Sequence, residues 1–311
     1  MRAAVPVYLV MSQPLRASLC LALLAVTSAG CNMQLDAHAF IEREEKRFPA
    51  GATPEIVLGT FDGSIQVRPW DRPEVLVEIE KRGTDKAAVD KIQISTDSKD
   101  NRITVDVKKP ASEKEFIGIG LHHGTSARLV ASVPRGSKLM LTTSDGSITV
   151  ERIDGRLELR TDDGSVRVSE AAGDMTIVTR DGSITLERVG GSIDARSGDG
   201  SIRVSGTPSA LQLETRDGSV TVRAERDTVM STDWSVRTGD GSVVVEVPEG
   251  FGAELDAETA DGSVRSELAI DGADSSGRDR QERRRLRGKI GAGGKVLKLR
   301  TSDGSIRLRS S

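Results

Sequence analysis

Short runs of alternating hydrophobic and polar residues recur along this chain at a fixed interval. Ile148 and Val150 alternate with polar neighbours, and Leu157 and Leu159 do the same nine residues later. Val166, Val168, Met175 and Ile177 repeat the pattern, followed by Ile184, Leu186, Ile193 and Ala195, then Ile202, Val204, Leu211 and Leu213. A period of two places one side of each run in a core, which predicts strands. Turn residues separate the runs: Asp154-Gly155, Gly173-Asp174, Gly190-Gly191 and Pro208-Ser209. Each unit therefore reads as strand, turn, strand, turn.

Asp-Gly-Ser followed by Ile or Val punctuates the units nine times, starting at Asp62, Asp145, Asp163, Asp181, Asp199, Asp217, Asp240, Asp261 and Asp303. From Asp145 to Asp217 the spacing is 18 residues; later spacings are 23, 21 and 42, and the last gap has room for two further coils. A meander of antiparallel hairpins would read similarly within one unit. An unvarying interval favours coil stacked on coil, each about 4.8 Å above the last. The expected fold is thus all-β, an elongated parallel β-solenoid of about 18-residue, two-strand coils. Ile148, Val166, Ile184, Ile202 and Val220 would form one internal column. Thr149, Arg167, Thr185, Arg203 and Thr221 would face outward, around an interior filled by side chains with no lumen. Arg307 and Arg309 flank the final run, Ile306 and Leu308, and would discourage end-to-end strand addition.

Residues 53–134 carry the same theme less regularly, with strands expected at 75–79 and 103–107. A short helix is expected from Asp85 to Ile92, capped by Thr84. Residues 135–311 form the regular array, interrupted at about 271–295 by an expected mobile, basic loop. Residues 32–52 are polar and read as a tether.

The N-terminus reads as an address. Arg16 precedes the apolar run 19–26, small residues follow, and Cys31 comes next, a signal-peptide pattern. Ser28-Ala29-Gly30-Cys31 resembles the bacterial lipobox, which would make Cys31 the lipidated first residue of the mature chain; Ser28 departs from the Leu usual at that place. The alternative is an ordinary cleaved signal. Translation starts at Met1 or at Met11.

Composition narrows the function. A net charge of −3 with 29% charged residues argues against nucleic-acid binding. Aromatics at 3% are too few for a thick core or a sugar-stacking groove. Both cysteines, Cys20 and Cys31, lie in the leader, so the rest has no disulfide and no thiolate metal site. His38 falls in the tether and His122-His123 in a Gly-rich loop. No Gly-x-Ser-x-Gly elbow occurs, and Gly288 to Val296 lacks the Lys-Ser/Thr of a P-loop. Repetition gives every Asp a similar environment, whereas a carboxylate hydrolase needs unlike ones. No enzyme is expected. Trp70 and Trp234 are expected to serve packing, and the basic run from Arg278 to Lys289 a solvated loop.

The reiterated Thr-x-Asp-Gly-Ser-Ile units, as in Thr142 to Ile148, and the segment Val133-Pro134-Arg135-Gly136-Ser137 just before the regular array carry a family resemblance. Over Pro54 to Ser311 the chain resembles the bacterial "putative-adhesin" β-strand-repeat proteins, the domain of unknown function 4097. The resemblance implies the repeat architecture and, by the family's name, an adhesin-like role.

Asp-Gly-Ser itself reads as turn chemistry: Asp accepts backbone N–H groups, Gly takes a positive φ, and Ser bonds locally. If coils superpose, Asp145, Asp163, Asp181, Asp199 and Asp217 form a carboxylate column, whose repulsion would cost about 1 kcal/mol per neighbour in water. Calcium would relieve it, as would Arg160, Arg180 and Arg216; the nonapeptide calcium signature is missing, so no cofactor is expected. The expected function is a non-catalytic, lipid-anchored module of the cell envelope, monomeric, binding an envelope protein or polysaccharide, with the outer membrane favoured. A polysaccharide-active enzyme and an envelope signalling accessory are the alternatives.

Overall fold

The computed structural model describes residues 40–109, 124–276 and 284–311. Those residues hold 23 strands and one short helix, an all-β fold. The alternating pattern builds two ladders of parallel strands. The first follows the Asp-Gly-Ser turns: Ile65–Pro69, Ile148–Glu151, Val166–Ser169, the first halves of Ile184–Ser197 and Ile202–Thr215, then Val220–Ala224 and Val243–Val247. The second precedes the turns: Glu55–Thr60, Lys138–Thr143, Leu157–Thr161, Met175–Thr179, the second halves of the same two long strands, then Trp234–Thr238.

Residues 18 apart are register partners, as the spacing predicts. Val166 pairs with Ile148 on one side and Ile184 on the other, and Ile202 continues the column to Val220. Each of these is at most 1% exposed. The facing column, Leu139, Leu157, Met175, Ile193 and Leu211, is at most 2% exposed. Two aliphatic columns packed face to face fill the space between the ladders, and burying each such side chain contributes about 1.5–3 kcal/mol.

The coils do not stack in sequence order at either end. Ile306–Ser310 lies between Val243–Val247 and Val264–Ser266, parallel to both. Val296–Thr301 likewise lies between Trp234–Thr238 and Ala253–Thr259. The chain thus skips one slot, builds the coil at 253–266, and returns to fill the gap with its last 16 residues. The expectation that Arg307 and Arg309 protect a terminal strand is therefore corrected: Ile306–Ser310 is an interior strand, and the first ladder ends at Val264–Ser266. The same step-over occurs near the start. Arg102–Lys108 and Ser126–Val133 pair with one side of Glu55–Thr60 and Ile65–Pro69, while Lys138–Thr143 and Ile148–Glu151 take the other.

Antiparallel strands finish the ladders. Glu74–Gly83 pairs with Ser126–Val133, and Phe40–Pro49 pairs in turn with Glu74–Gly83. Residues 40–49 are thus a strand and not part of a tether. From Glu42 to Arg47 both faces are polar, and the inner one makes ion pairs: buried Lys81 meets Glu42 at 2.5 Å and Glu44 at 2.8 Å. At the other end Arg285–Ile290 covers Ala253–Thr259, and Asp271–Ser276 pairs with Arg285–Ile290. The expected loop at 271–295 is therefore largely a strand pair with a return turn. The helix is shorter than expected, Lys86–Asp90, and its N-cap is Asp85, whose carboxylate accepts the Ala88 N–H at 2.8 Å.

Candidate functional site: the repeat turns and the outward rows

The nine Asp-Gly-Ser turns form one column, in the order Gly63, Gly146, Gly164, Gly182, Gly200, Gly218, Gly241, Gly304 and Gly262. A Cβ on Gly164 would lie 1.9 Å from the Gly146 carbonyl oxygen, and one on Gly304 would lie 1.9 Å from that of Gly241. Glycine is required here by close backbone approach. A positive φ belongs to Gly63 alone in this column, at 137°, so the conformational reason given by the turn chemistry is corrected.

The hydrogen bonds also differ from the expected Asp turn. A buried hydroxyl three residues before each Gly does the work. The Thr179 hydroxyl donates to the Gly164 carbonyl at 3.1 Å and accepts the Gly182 N–H at 3.1 Å. Ser197 repeats this with Gly182 and Gly200, both at 3.0 Å. Thr161, Thr238 and Thr301 follow the same rule. Each hydroxyl thus bonds one coil to the next and closes its own turn. The Thr of the Thr-x-Asp-Gly-Ser signature is the signal for this, and stacking buries it where a turn residue would otherwise be solvated.

Freed from that task, Asp145, Asp163, Asp181, Asp199 and Asp217 point to solvent. Arginines stand beside the column, as the charge argument predicts. Arg180 lies 3.3 Å from Asp162 and 3.9 Å from Asp163. Arg216 bridges Asp199 and Asp217. Arg160 makes no ion pair among the described residues. At the start of the column, burial and then the Asp145 charge push the Asp62 carboxyl above its ordinary value. No cluster of three or more metal-ligating side chains occurs among the described residues. Cys31, His38 and His122-His123 lie outside them.

An open groove of about 860 Å³ runs over the outer side of the second ladder, beside the irregular spacings after Asp217. Its carboxylates are Glu214 and Glu258. Glu214 faces Arg196 at 4.0 Å and Glu258 faces Arg300 at 3.8 Å. The groove therefore lacks the unpaired carboxylates in unlike settings that a hydrolase reading calls for. Trp234 is fully buried, 5.7 Å from Phe251, and Trp70 donates its indole N–H to the Glu74 carbonyl at 2.7 Å; both serve packing.

Solved structures resemble the chain only distantly. A "putative cell adhesion protein" from Clostridium sporogenes is 11% identical, covering 88% of this chain and 100% of that one, with a TM-score of 0.29. A "putative adhesin" from Bacteroides fragilis is 12% identical, covering 87% and 97%, at 0.33. Another from Parabacteroides merdae is 10% identical, covering 86% and 95%, at 0.34. Likeness at this level says nothing about what the chain binds. No curated protein matches it. The model of the family described as Toastrack DUF4097 matches residues 54–309, so the chain belongs to the Toastrack DUF4097 family.

Proposed function

We propose that the chain is a non-catalytic binding module of the bacterial cell envelope, an adhesin-like β-solenoid held to the membrane through a lipid on Cys31. One observation carries this reading: the inward columns are aliphatic and closed, so the outward rows hold the available chemistry. A flat, periodic, polar surface suits an extended or repetitive partner better than a small substrate. Only 8 residues separate Cys31 from the strand that starts at Phe40. Such a segment spans at most about 30 Å, which would hold the module close to the bilayer surface. No helix among the described residues is long and apolar enough to cross a membrane.

The test uses the full chain expressed in a bacterium that processes lipoproteins and fed labelled palmitate. Label should enter the chain and track with membranes, and Cys31→Ser should abolish both. Label retained by Cys31→Ser would refute the anchor. The purified chain should sediment saturably with isolated cell envelopes and release no sugar from them. Sugar release would favour the polysaccharide-active alternative.

A further inference from the structure

The middle outward row of the first ladder has an unusual charge pattern. Register places Thr149, Arg167, Thr185, Arg203, Thr221, Val244, Arg307 and Arg265 side by side in that order. The row has four arginines and no carboxylate, in a chain whose net charge is −3. All four arginines are exposed. None of them makes an ion pair or a side-chain hydrogen bond among the described residues, although most other surface arginines do. Arg307 and Arg265 are direct register partners, a like-charge pair that destabilises a sheet. An unpaired cationic row kept at that cost points to an anionic partner.

The out-of-order stacking makes the row. Arg307 belongs to the last repeat of the sequence, yet it stands between Val244 and Arg265. At about 4.8 Å per coil, Arg203 stands roughly 10 Å from Arg167, Arg307 roughly 14 Å further on, and Arg265 roughly 5 Å beyond that. Thr185 fills the first interval and Thr221 with Val244 the second, and the Ser of each Asp-Gly-Ser borders the row on one side. On the other side the next outward row carries Glu151 and Glu187, and its Arg223 is taken up by Glu246 at 3.0 Å. The favourable strip is therefore one residue wide.

We infer that this row binds a single extended anionic polysaccharide, its carboxylates or sulfates on Arg167, Arg203, Arg307 and Arg265 and its hydroxyls on the Ser and Thr rows. Guanidinium groups suit such anions because they offer paired donors in a fixed plane. The narrow strip with acids alongside fits a thin polymer and opposes a planar anionic membrane. The row has no aromatic residue, so it offers no platform for the bases of single-stranded nucleic acid. The inference rests on the proposed binding role and gives it a ligand class.

The experiment measures binding of the detergent-solubilised full chain to polygalacturonate and to heparin. Neutral dextran and phosphatidylglycerol vesicles form separate arms. The chain should bind both polyanions, more weakly as salt rises, and should bind neither dextran nor vesicles. The variant R167S/R203S/R265S/R307S should lose at least about tenfold in affinity. Equal stability in urea would show that it remains folded. The control R160S/R237S, on the outer side of the second ladder, should bind like the parent. Equal binding by the four-fold variant, equal loss in the control, or binding to vesicles alone would overturn the inference. Saturable binding to isolated envelopes without polyanion binding would overturn it while leaving the proposed function standing.

Discussion

The Thr301 hydroxyl donates to the Gly241 carbonyl at 2.8 Å across 60 residues of sequence. The same contact joins Thr179 to Gly164 within one repeat. An identical local bond thus serves neighbours in sequence and neighbours created only by the return of the chain. The hydroxyl and the glycine, more than the aspartate, specify how one coil sits on another.

Replacing Thr179 by Val keeps the shape but leaves the Gly164 carbonyl and the Gly182 N–H without their partner. The expected loss is about 1–2 kcal/mol in urea unfolding. Asp181→Asn, on the exposed side of the same turn, should change stability by less than about 0.5 kcal/mol. Equal losses would mean that the carboxylate shares the structural work.

Gly164→Ala would drive a methyl group into the Gly146 carbonyl oxygen, where backbone and not a flexible side chain must move. Overpacking of this kind should cost about 3 kcal/mol. Gly250→Ala gives a contrast: nothing lies within 4 Å of its added Cβ, and only the strain of its φ of 81° opposes the change. A smaller loss at Gly164 than at Gly250 would contradict the close stacking of the turns.

Asp256 ties three segments together, with Arg287 of the covering strand at 2.9 Å and Arg300 of the returned coil at 2.7 Å. Burial pushes its carboxyl up, but the hydrogen bonds from Arg287 and Arg300 outweigh this and hold it below the ordinary carboxylate range. A folded pKa below the unfolded one adds stability above the unfolded value, near 4, and that stability is lost as pH falls through the folded value. Asp256→Asn should therefore be less stable than the parent at pH 7, and the gap should close as the pH drops below about 4. Hydrogen exchange at 285–301, followed against pH, reads this directly. A gap that widens in acid would contradict the assignment.

Arg180 and Arg216 already stand beside the Asp163, Asp199 and Asp217 carboxylates. Chelation followed by calcium titration should leave the melting temperature unchanged. A rise that saturates with calcium would show a metal site on this edge.

The buried columns were legible because Ile148, Val166 and Ile184 repeat at one interval and alternate with polar residues. The ends were harder to read for physical reasons. The strand Phe40–Pro49 was hidden because its inner face holds Glu42 and Glu44 for the buried Lys81, where a strand signal needs apolar residues. The position of Ile306–Ser310 was hidden because a repeat says which residues are equivalent, not which equivalents touch. The 42-residue gap looked like room for two further coils; it holds a covering strand pair and the return path. The hydroxyl column was present in the sequence as Thr or Ser three residues before Gly. Its meaning depends on burial, which only stacking supplies.

The central claim, that parallel coils stack in register with the last one inserted, can be tested by cross-linking. Both native cysteines, Cys20 and Cys31, lie within the first 31 residues, so introduced pairs report cleanly once these two are accounted for. Val244 and Arg307 are outward-facing register partners on adjacent strands. Cysteines there should oxidise to an intrachain disulfide, since adjacent strands fall within the roughly 4.4–6.8 Å that the bond spans. Cysteines at Val244 and Arg265 stand two strands apart, at roughly 10 Å, and should stay reduced. A disulfide between 244 and 265, with none between 244 and 307, would show coils stacked in sequence order and contradict this account.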